Sequence, residues 1–299
     1  MFSLYNTLLL LSVFSVCHGV DIKNYFQICS RDAWDVRECL IQAVQTGIDR
    51  MIYGIPELDT PPLDPYLQKD FEVNHEDQQM ILNFFVATKF ILKDIYLEGL
   101  KITTVQNVSL RASEHIFYLD VFLYTPVVRL RAEYSGVGQF QETKYSANGT
   151  LNTTATELKY TWRLFGLPEK IGDEIYLRIQ NFHVQSKSVG SMHTTLYNKN
   201  PDSKKLTDWL MSFANKRWKS VIKKFLPYAQ ENWKLHGVNI ANKIFLNIPY
   251  NQVFPSTYGY GPISLVKPIS VAGNDPVPVN VPSRHGHHVA YFKLNIRNV

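Results

Sequence analysis

The chain has 299 residues, of which 45% are apolar and 19% charged, and a formal net charge of +5. These proportions exclude a low-complexity or wholly disordered protein and leave apolar material for one or two packed domains. The positive charge is modest and spread out, and no nucleic-acid-binding module is recognisable, so no nucleic-acid partner is expected.

The chain opens on an apolar run, Leu8, Leu9, Leu10, Leu11, Val13, Phe14 and Val16, too short to span a bilayer with its flanks. Small residues follow, with Cys17 and Gly19 placed ahead of a cleavage after Gly19. That is the form of a secretory signal peptide, so residues 1–19 are expected to be removed and the mature protein to be secreted and extracellular. Cleavage leaves Cys29 and Cys39, an even pair in an oxidising compartment. A disulfide between them would restrict the unfolded chain by about 3 kcal/mol, and two free buried thiols are the alternative. Asn107-Val108-Ser109, Asn148-Gly149-Thr150 and Asn152-Thr153-Thr154 are sequons, which make Asn107, Asn148 and Asn152 the expected glycosylation acceptors. The last two fall in a Ser/Thr/Asn/Gly-rich stretch that reads as an exposed loop.

Ala33 to Met51 reads as a helix, with Asp32 as N-cap and Leu40, Val44, Ile48 and Met51 or Ile52 at helical spacing. Gly54 and Pro56 end it, and Ile55 to Pro65 reads as extended and proline-rich. From about Phe84 to Tyr197 the period changes to two. Leu158, Tyr160, Trp162 and Leu164 alternate with polar residues, as do Val128, Leu130, Ala132 and Tyr134. Phe117, Leu119, Val121 and Leu123 make another apolar row. These patterns predict antiparallel strands with one buried face. The row Ile175, Leu177, Ile179 changes phase to Phe182, Val184, which predicts a bulge near Asn181.

One long helix is predicted from Leu206 to Ile244, with Leu210, Phe213, Val221 and Phe225 on one face and Pro227 kinking rather than ending it. At 1.5 Å per residue it would be ~58 Å long, which implies an elongated molecule with a sheet wrapped along a helix. Its lysines and arginine, Lys204, Lys205, Lys216, Arg217, Lys219, Lys223 and Lys224, form the densest basic stretch. They read as a solvated face, or as a weak attraction to anionic membrane surfaces. Residues 256–299 read as an extended or disordered Pro/Gly-rich tail, with a short strand near Tyr291 to Ile296. His285, His287 and His288 there could hold a soft divalent ion or be an ordinary solvated cluster, and no metal site is assigned.

Enzymatic signatures are missing. There is no G-x-S-x-G elbow, His75-Glu76 lacks the second histidine of a zinc protease, and Gly136-Val137-Gly138 lacks the third glycine of a dinucleotide loop. No catalytic residue and no cofactor is assigned, and the chain is expected not to be an enzyme.

The order of several blocks carries a resemblance. Cys29 and Cys39 precede a helix running into Gly54-Ile55-Pro56-Glu57-Leu58 and Pro61-Pro62-Leu63-Asp64-Pro65. Asp94-Ile95-Tyr96-Leu97-Glu98-Gly99-Leu100 and Arg131-Ala132-Glu133-Tyr134 follow. The long helix then closes with Ile248-Pro249-Tyr250 and Phe254-Pro255. From Tyr25 to Pro255 this order resembles the insect haemolymph juvenile hormone binding protein and takeout family. The resemblance implies an α+β fold, with a long C-terminal helix wrapped by a highly curved antiparallel sheet in an elongated single domain. It also implies a hydrophobic tunnel for one extended terpenoid or fatty acyl ligand, and a disulfide between Cys29 and Cys39. Two departures from the family are the polar, sequon-bearing stretch Glu142 to Thr156 and the tail after Pro255.

The expected organisation is a signal peptide (1–19), a lipid-binding domain (20–255) and a tail (256–299). The expected function is secreted carriage of a small hydrophobic ligand. The expected lining is Phe117, Leu119, Val121, Leu123, Val128, Leu130, Tyr134, Tyr160, Trp162, Leu164 and Phe213. The alternatives are a secreted interaction or signalling protein that kept the fold without the hollow, and an enzyme acting on lipid esters. No protein partner is assigned.

Overall fold

The computed structural model describes residues 26–69, 71–74, 85–140 and 143–257. The expected signal segment with Cys17, the tail beyond Thr257 with its histidines, and the strand near Tyr291 lie outside the described residues.

The described residues form one eight-stranded antiparallel sheet with helices packed on it. Its strands are β1 (Tyr66–Gln68), β2 (Phe71–Asn74), β3 (Phe85–Glu98), β4 (Thr104–Ala112), β5 (Phe117–Phe140), β6 (Thr143–Ile171), β7 (Glu174–Ser188) and β8 (Ser191–Asn198). β5 and β6 form the centre. β3 and β4 pair along successive parts of β5, while β7 and β8 pair along successive parts of β6. The helices are α1 (Val36–Arg50), α2 (Lys204–Lys216), α3 (Trp218–Phe245) and the short α4 (Tyr250–Val253).

The stretch expected to be a loop is strand. Residues 143–156 lie within the 29-residue β6. There Asn148 pairs with Ser135, Asn152 with Arg131, and Thr153 and Thr156 share hydroxyl hydrogen bonds with Thr194 and Ser191 of β8. Threonine is β-branched and suits a pleated surface, and neighbours on both sides supply ladder partners that the local composition does not reveal.

β5 and β6 keep one register from Phe117↔Gly166 to Phe140↔Thr143, yet the buried face changes phase midway. On β5 the buried positions are Phe117, Leu119, Val121, Leu123 and Thr125, and then Val128, Ala132 and Tyr134. The change falls at Pro126, which has no N–H to give the ladder, and at Glu157, whose φ is +53°. Gly190, at the joint between β7 and β8, lies beside them; a Cβ there would stand 2.4 Å from the Glu157 carboxylate. Pro126, Glu157 and Gly190 therefore mark a crease across the sheet. The predicted bulge near Asn181 is present: Phe165 pairs with Asn181 and Gly166 with Ile179, leaving Gln180 out of the ladder.

The helix predicted as one span is broken. α2 ends at Lys216, Arg217 has φ −116° and ψ 26°, and α3 begins at Trp218. α3 then runs for 28 residues with Pro227 inside it, so the proline does not end the helix. The first helix begins at Val36 with Asp35 before it, so Asp32 is not its cap. Asp32 instead accepts hydrogen bonds from the Thr257 N–H (2.7 Å) and hydroxyl (2.8 Å) and from the Ser256 hydroxyl. These bonds hold its carboxyl well below the usual carboxylate range. Arg31 N–H donates to the Pro255 carbonyl at 2.8 Å, and its guanidinium lies 5.2 Å from the Tyr250 ring centroid. Cys29 and Cys39 are joined as a disulfide. The bridge ties α1 to the same clasp between the start and end of the described chain.

Open strand edges expose unpaired backbone groups, and this sheet covers them with side-chain amides from helices. Gln45 of α1 accepts from Val105 N–H (2.9 Å) and donates to the Thr103 carbonyl (3.1 Å). Asn242 of α3 accepts from Ile179 N–H (2.8 Å) and donates to its carbonyl (3.0 Å). Asn215 of α2 does the same for Thr194, at 2.8 and 2.9 Å. Gln230, with its amide turned so that both ends are satisfied, donates to the Val184 carbonyl (2.8 Å) and accepts from Val184 N–H (3.1 Å). The asparagines and Gln230 each mimic a missing neighbour strand for one residue, and Gln45 bridges two.

Candidate ligand-binding interior

Register places apolar side chains in rows across the face covered by helices, because directly paired residues share a face. Leu110, Leu119, Leu164 and Phe182 form one row across β4, β5, β6 and β7. Val108, Val121, Trp162 and Val184 form the next, followed by Val105, Leu123, Tyr160 and Ser186. Tyr160 and Trp162 rings stand 6.3 Å apart, and Trp162 and Phe182 rings 6.2 Å. α3 comes so close here that a Cβ on Gly237 would lie 2.1 Å from the Phe182 ring.

The expected lining residues fall into two groups. Phe117, Val121 and Leu123 are at most 2% exposed, and Leu119 is also buried. They belong to the core cluster with Cys29, Leu40, Ile48, Ala241, Tyr250 and Phe254. Tyr160, Trp162 and Leu164 are half-buried and flank that cluster. Beyond the crease, Val128 and Tyr134 are buried, and Leu130 is half-buried. Phe213, half-buried on α2, stacks against Trp209 with centroids 5.6 Å apart.

The far half of the sheet mixes large and small side chains. Its rows are Val128, Ala155 and Met192; Leu130, Thr153 and Thr194; Ala132, Leu151 and Leu196; and Tyr134, Gly149 and Asn198. α2 meets this half through Asn215 on Thr194 and through Thr207, whose hydroxyl accepts from Asn198 at 2.8 Å.

Periodicity did not reveal the polar side chains set among the apolar rows. Thr125 is fully buried and shares hydrogen bonds with Thr103 (2.7 Å) and with the Tyr160 hydroxyl (3.0 Å). Burial pushes the Tyr160 phenol above its ordinary 10.0, and the threonine hydroxyls pull it part of the way back. A phenol raised in the folded chain stays protonated where the unfolded chain has ionised. Its stabilisation is complete below about pH 10 and is lost as pH rises through the folded value. Tyr160→Phe should therefore flatten part of the alkaline loss of stability and cost about 1 kcal/mol at neutral pH for the lost hydrogen bond. Thermal melts at pH 7 and in alkali measure both effects. Tyr134 is raised in the same direction, again by burial.

Of the sequon asparagines, Asn148 and Asn152 are exposed on β6. Asn107 is half-buried, and its Oδ1 accepts from Arg37 Nε (2.7 Å) and Val108 N–H (2.8 Å). Outside the interior, a groove of about 480 Å³ lies on the crease, lined by Gln106, Tyr124, Glu157, Lys159, Ser188, Val189 and Gly190. Among the described residues there is no cluster of three or more metal-ligating side chains. No helix among them is long and apolar enough to cross a membrane.

Comparison with solved structures gives Takeout 1 of Epiphyas postvittana at a TM-score of 0.60 and 17% identity, covering 76% of this chain and 99% of that one. At that identity the likeness speaks for the fold alone. Lipopolysaccharide binding protein aligns with a TM-score of 0.28 and 8% identity over 66% of this chain and 38% of that one, too weak to bear on the fold. No curated protein matches the chain in sequence. The profile of the haemolymph juvenile hormone binding proteins matches residues 7–255, most of the chain. With the α+β fold it shares with Takeout 1, the chain therefore belongs to the haemolymph juvenile hormone binding protein family.

Proposed function

We propose that the chain is a secreted, non-enzymatic carrier of one small hydrophobic molecule, a terpenoid resembling juvenile hormone or a fatty acyl lipid. Residues 1–19 are the signal peptide, residues 20–255 the carrier domain and residues 256–299 the tail. Asn148 and Asn152 are the exposed glycan acceptors. Family membership over residues 7–255 is the observation that carries this reading.

The ligand lies in an apolar tunnel between the sheet and the helices. A residue with almost no accessible surface touches no void, so Phe117, Val121 and Leu123 form the solid floor behind the tunnel. Tyr160, Trp162, Leu164, Leu130 and Phe213 retain accessible surface and are the contact residues. Ala155, Thr153 and Gly149 leave room on the far side of the crease. Sinking ten methylene-sized groups there would gain ~8 kcal/mol, less the cost of association. The Tyr160 hydroxyl, fixed by its hydrogen bond with the buried Thr125, orients the polar end of the ligand.

A fluorescent fatty-acid probe tests this. The mature protein should enhance its emission and release it to juvenile hormone or to a long-chain fatty acid. Trp162→Ala should weaken probe binding about tenfold, the loss of roughly 1.4 kcal/mol of contact. An unchanged affinity in a folded Trp162→Ala protein would remove Trp162 from the tunnel, and no probe binding at all would count against carriage.

A further inference from the structure

We infer that the joint between α2 and α3 is a docking surface for anionic membrane. Residues 204–224 carry Lys204, Lys205, Lys216, Arg217, Lys219, Lys223 and Lys224 against the carboxylate of Asp208 alone. Lys204 Nζ neutralises that carboxylate at 2.6 Å.

The folded helices leave these charges on their exposed faces. Thr207 and Asn215 turn the inner face of α2 onto β8. Lys205, Trp209, Ser212 and Lys216, spaced four, three and four apart, form an exposed stripe on α2. Past Arg217, the exposed Lys219, Ser220, Lys223 and Lys224 continue the basic run on α3, while Val221, Ile222 and Phe225 are half-buried. Trp209 stands within this stripe and is 40% exposed. An indole set among lysines has the chemistry of an interfacial anchor, with ring in the headgroup layer and ammonium groups on lipid phosphates. A partner that is only acidic would satisfy the lysines and leave the indole unused. The observations therefore favour a lipid surface over an acidic protein or polysaccharide.

Each lysine brought to an anionic surface is worth about fivefold in partitioning, from roughly 1 kcal/mol per residue. The mature protein should sediment with phosphatidylcholine vesicles containing phosphatidylserine, should do so less as salt rises, and should ignore pure phosphatidylcholine. Lys216→Glu/Lys219→Glu/Lys223→Glu should weaken the partitioning by about 100-fold or more, and Trp209→Ser by several-fold. Lys101→Glu/Lys170→Glu/Lys187→Glu, at exposed positions outside these helices, makes the same change in net charge and should have little effect. Circular dichroism confirms that each variant is folded. The inference fails if the wild-type protein does not bind the charged vesicles, binds neutral ones equally, or is weakened equally by both triple variants. Binding to heparin through the same lysines without vesicle binding would also overturn it.

Discussion

Phe117→Ala should lower the stability of the domain by about 4 kcal/mol. Phe117 has no exposed surface. Its ring lies 5.0 Å from that of Phe254, 6.3 Å from Phe245 and 6.4 Å from Tyr250. These partners come from the end of α3, from α4 and from the residue just past it, so one side chain joins the sheet to the chain's closing elements. The surrounding rings are held by the Arg31–Pro255 and Asp32–Thr257 bonds and by the disulfide-anchored segment, so the site cannot collapse freely. Most of the cavity cost should therefore remain. Equilibrium unfolding in urea measures it, and a loss under about 1 kcal/mol would mean that the cluster repacks.

Asn242→Ala should cost about 2 kcal/mol. The substitution removes no large apolar group, so the loss isolates the edge amide. Ile179 N–H and C=O would lose their partner together, on a strand where Ile179 itself is 1% exposed. Alanine is the better helix former, and that gain of under about 1 kcal/mol offsets only part of the loss. Amide hydrogen exchange at Ile179 should quicken as the β7 edge opens. A variant as stable as the parent would show that water replaces the amide at no cost.

Much of this arrangement is legible in the residues. Leu158 to Leu164 and Val128 to Tyr134 alternate because one face is buried, and the structure places them on strands. The phase change between Ile179 and Phe182 locates a real bulge because a strand cannot change faces without one extra residue or a strained one. Pro227 passes through α3 because apolar spacing resumes beyond it. The break at Arg217 left no such mark. No glycine or proline stands there, and the cause is tertiary: Asn215 and Gln230 fix the helices to Thr194 and Val184, on either side of the crease at Gly190. Residues 143–156 misled for the same reason, since threonine, asparagine and glycine read as loop until β5 and β8 supply partners on both sides. Asp32 has the chemistry of an N-cap, and only the folded chain shows that its acceptors serve Ser256 and Thr257 instead.

The candidate site was legible as an apolar face, but not as layers within it. Alternation places Phe117 and Trp162 alike on the inner side. Their neighbours separate them, leaving Phe117 sealed among the rings of Phe245, Tyr250 and Phe254 and Trp162 half-buried beside Tyr160 and Phe182. Thr125 occupies an inward position that hydropathy would give to the outside, and its bonds to Tyr160 and Thr103 explain why it can be there.

Carriage of a hydrophobic molecule is tested most directly by native mass spectrometry of the mature protein purified from the tissue that makes it. A folded species carrying one lipid-sized mass excess that disappears on denaturation is the expected result. A bare polypeptide mass, from protein that also leaves a fluorescent fatty-acid probe unbound, would contradict it.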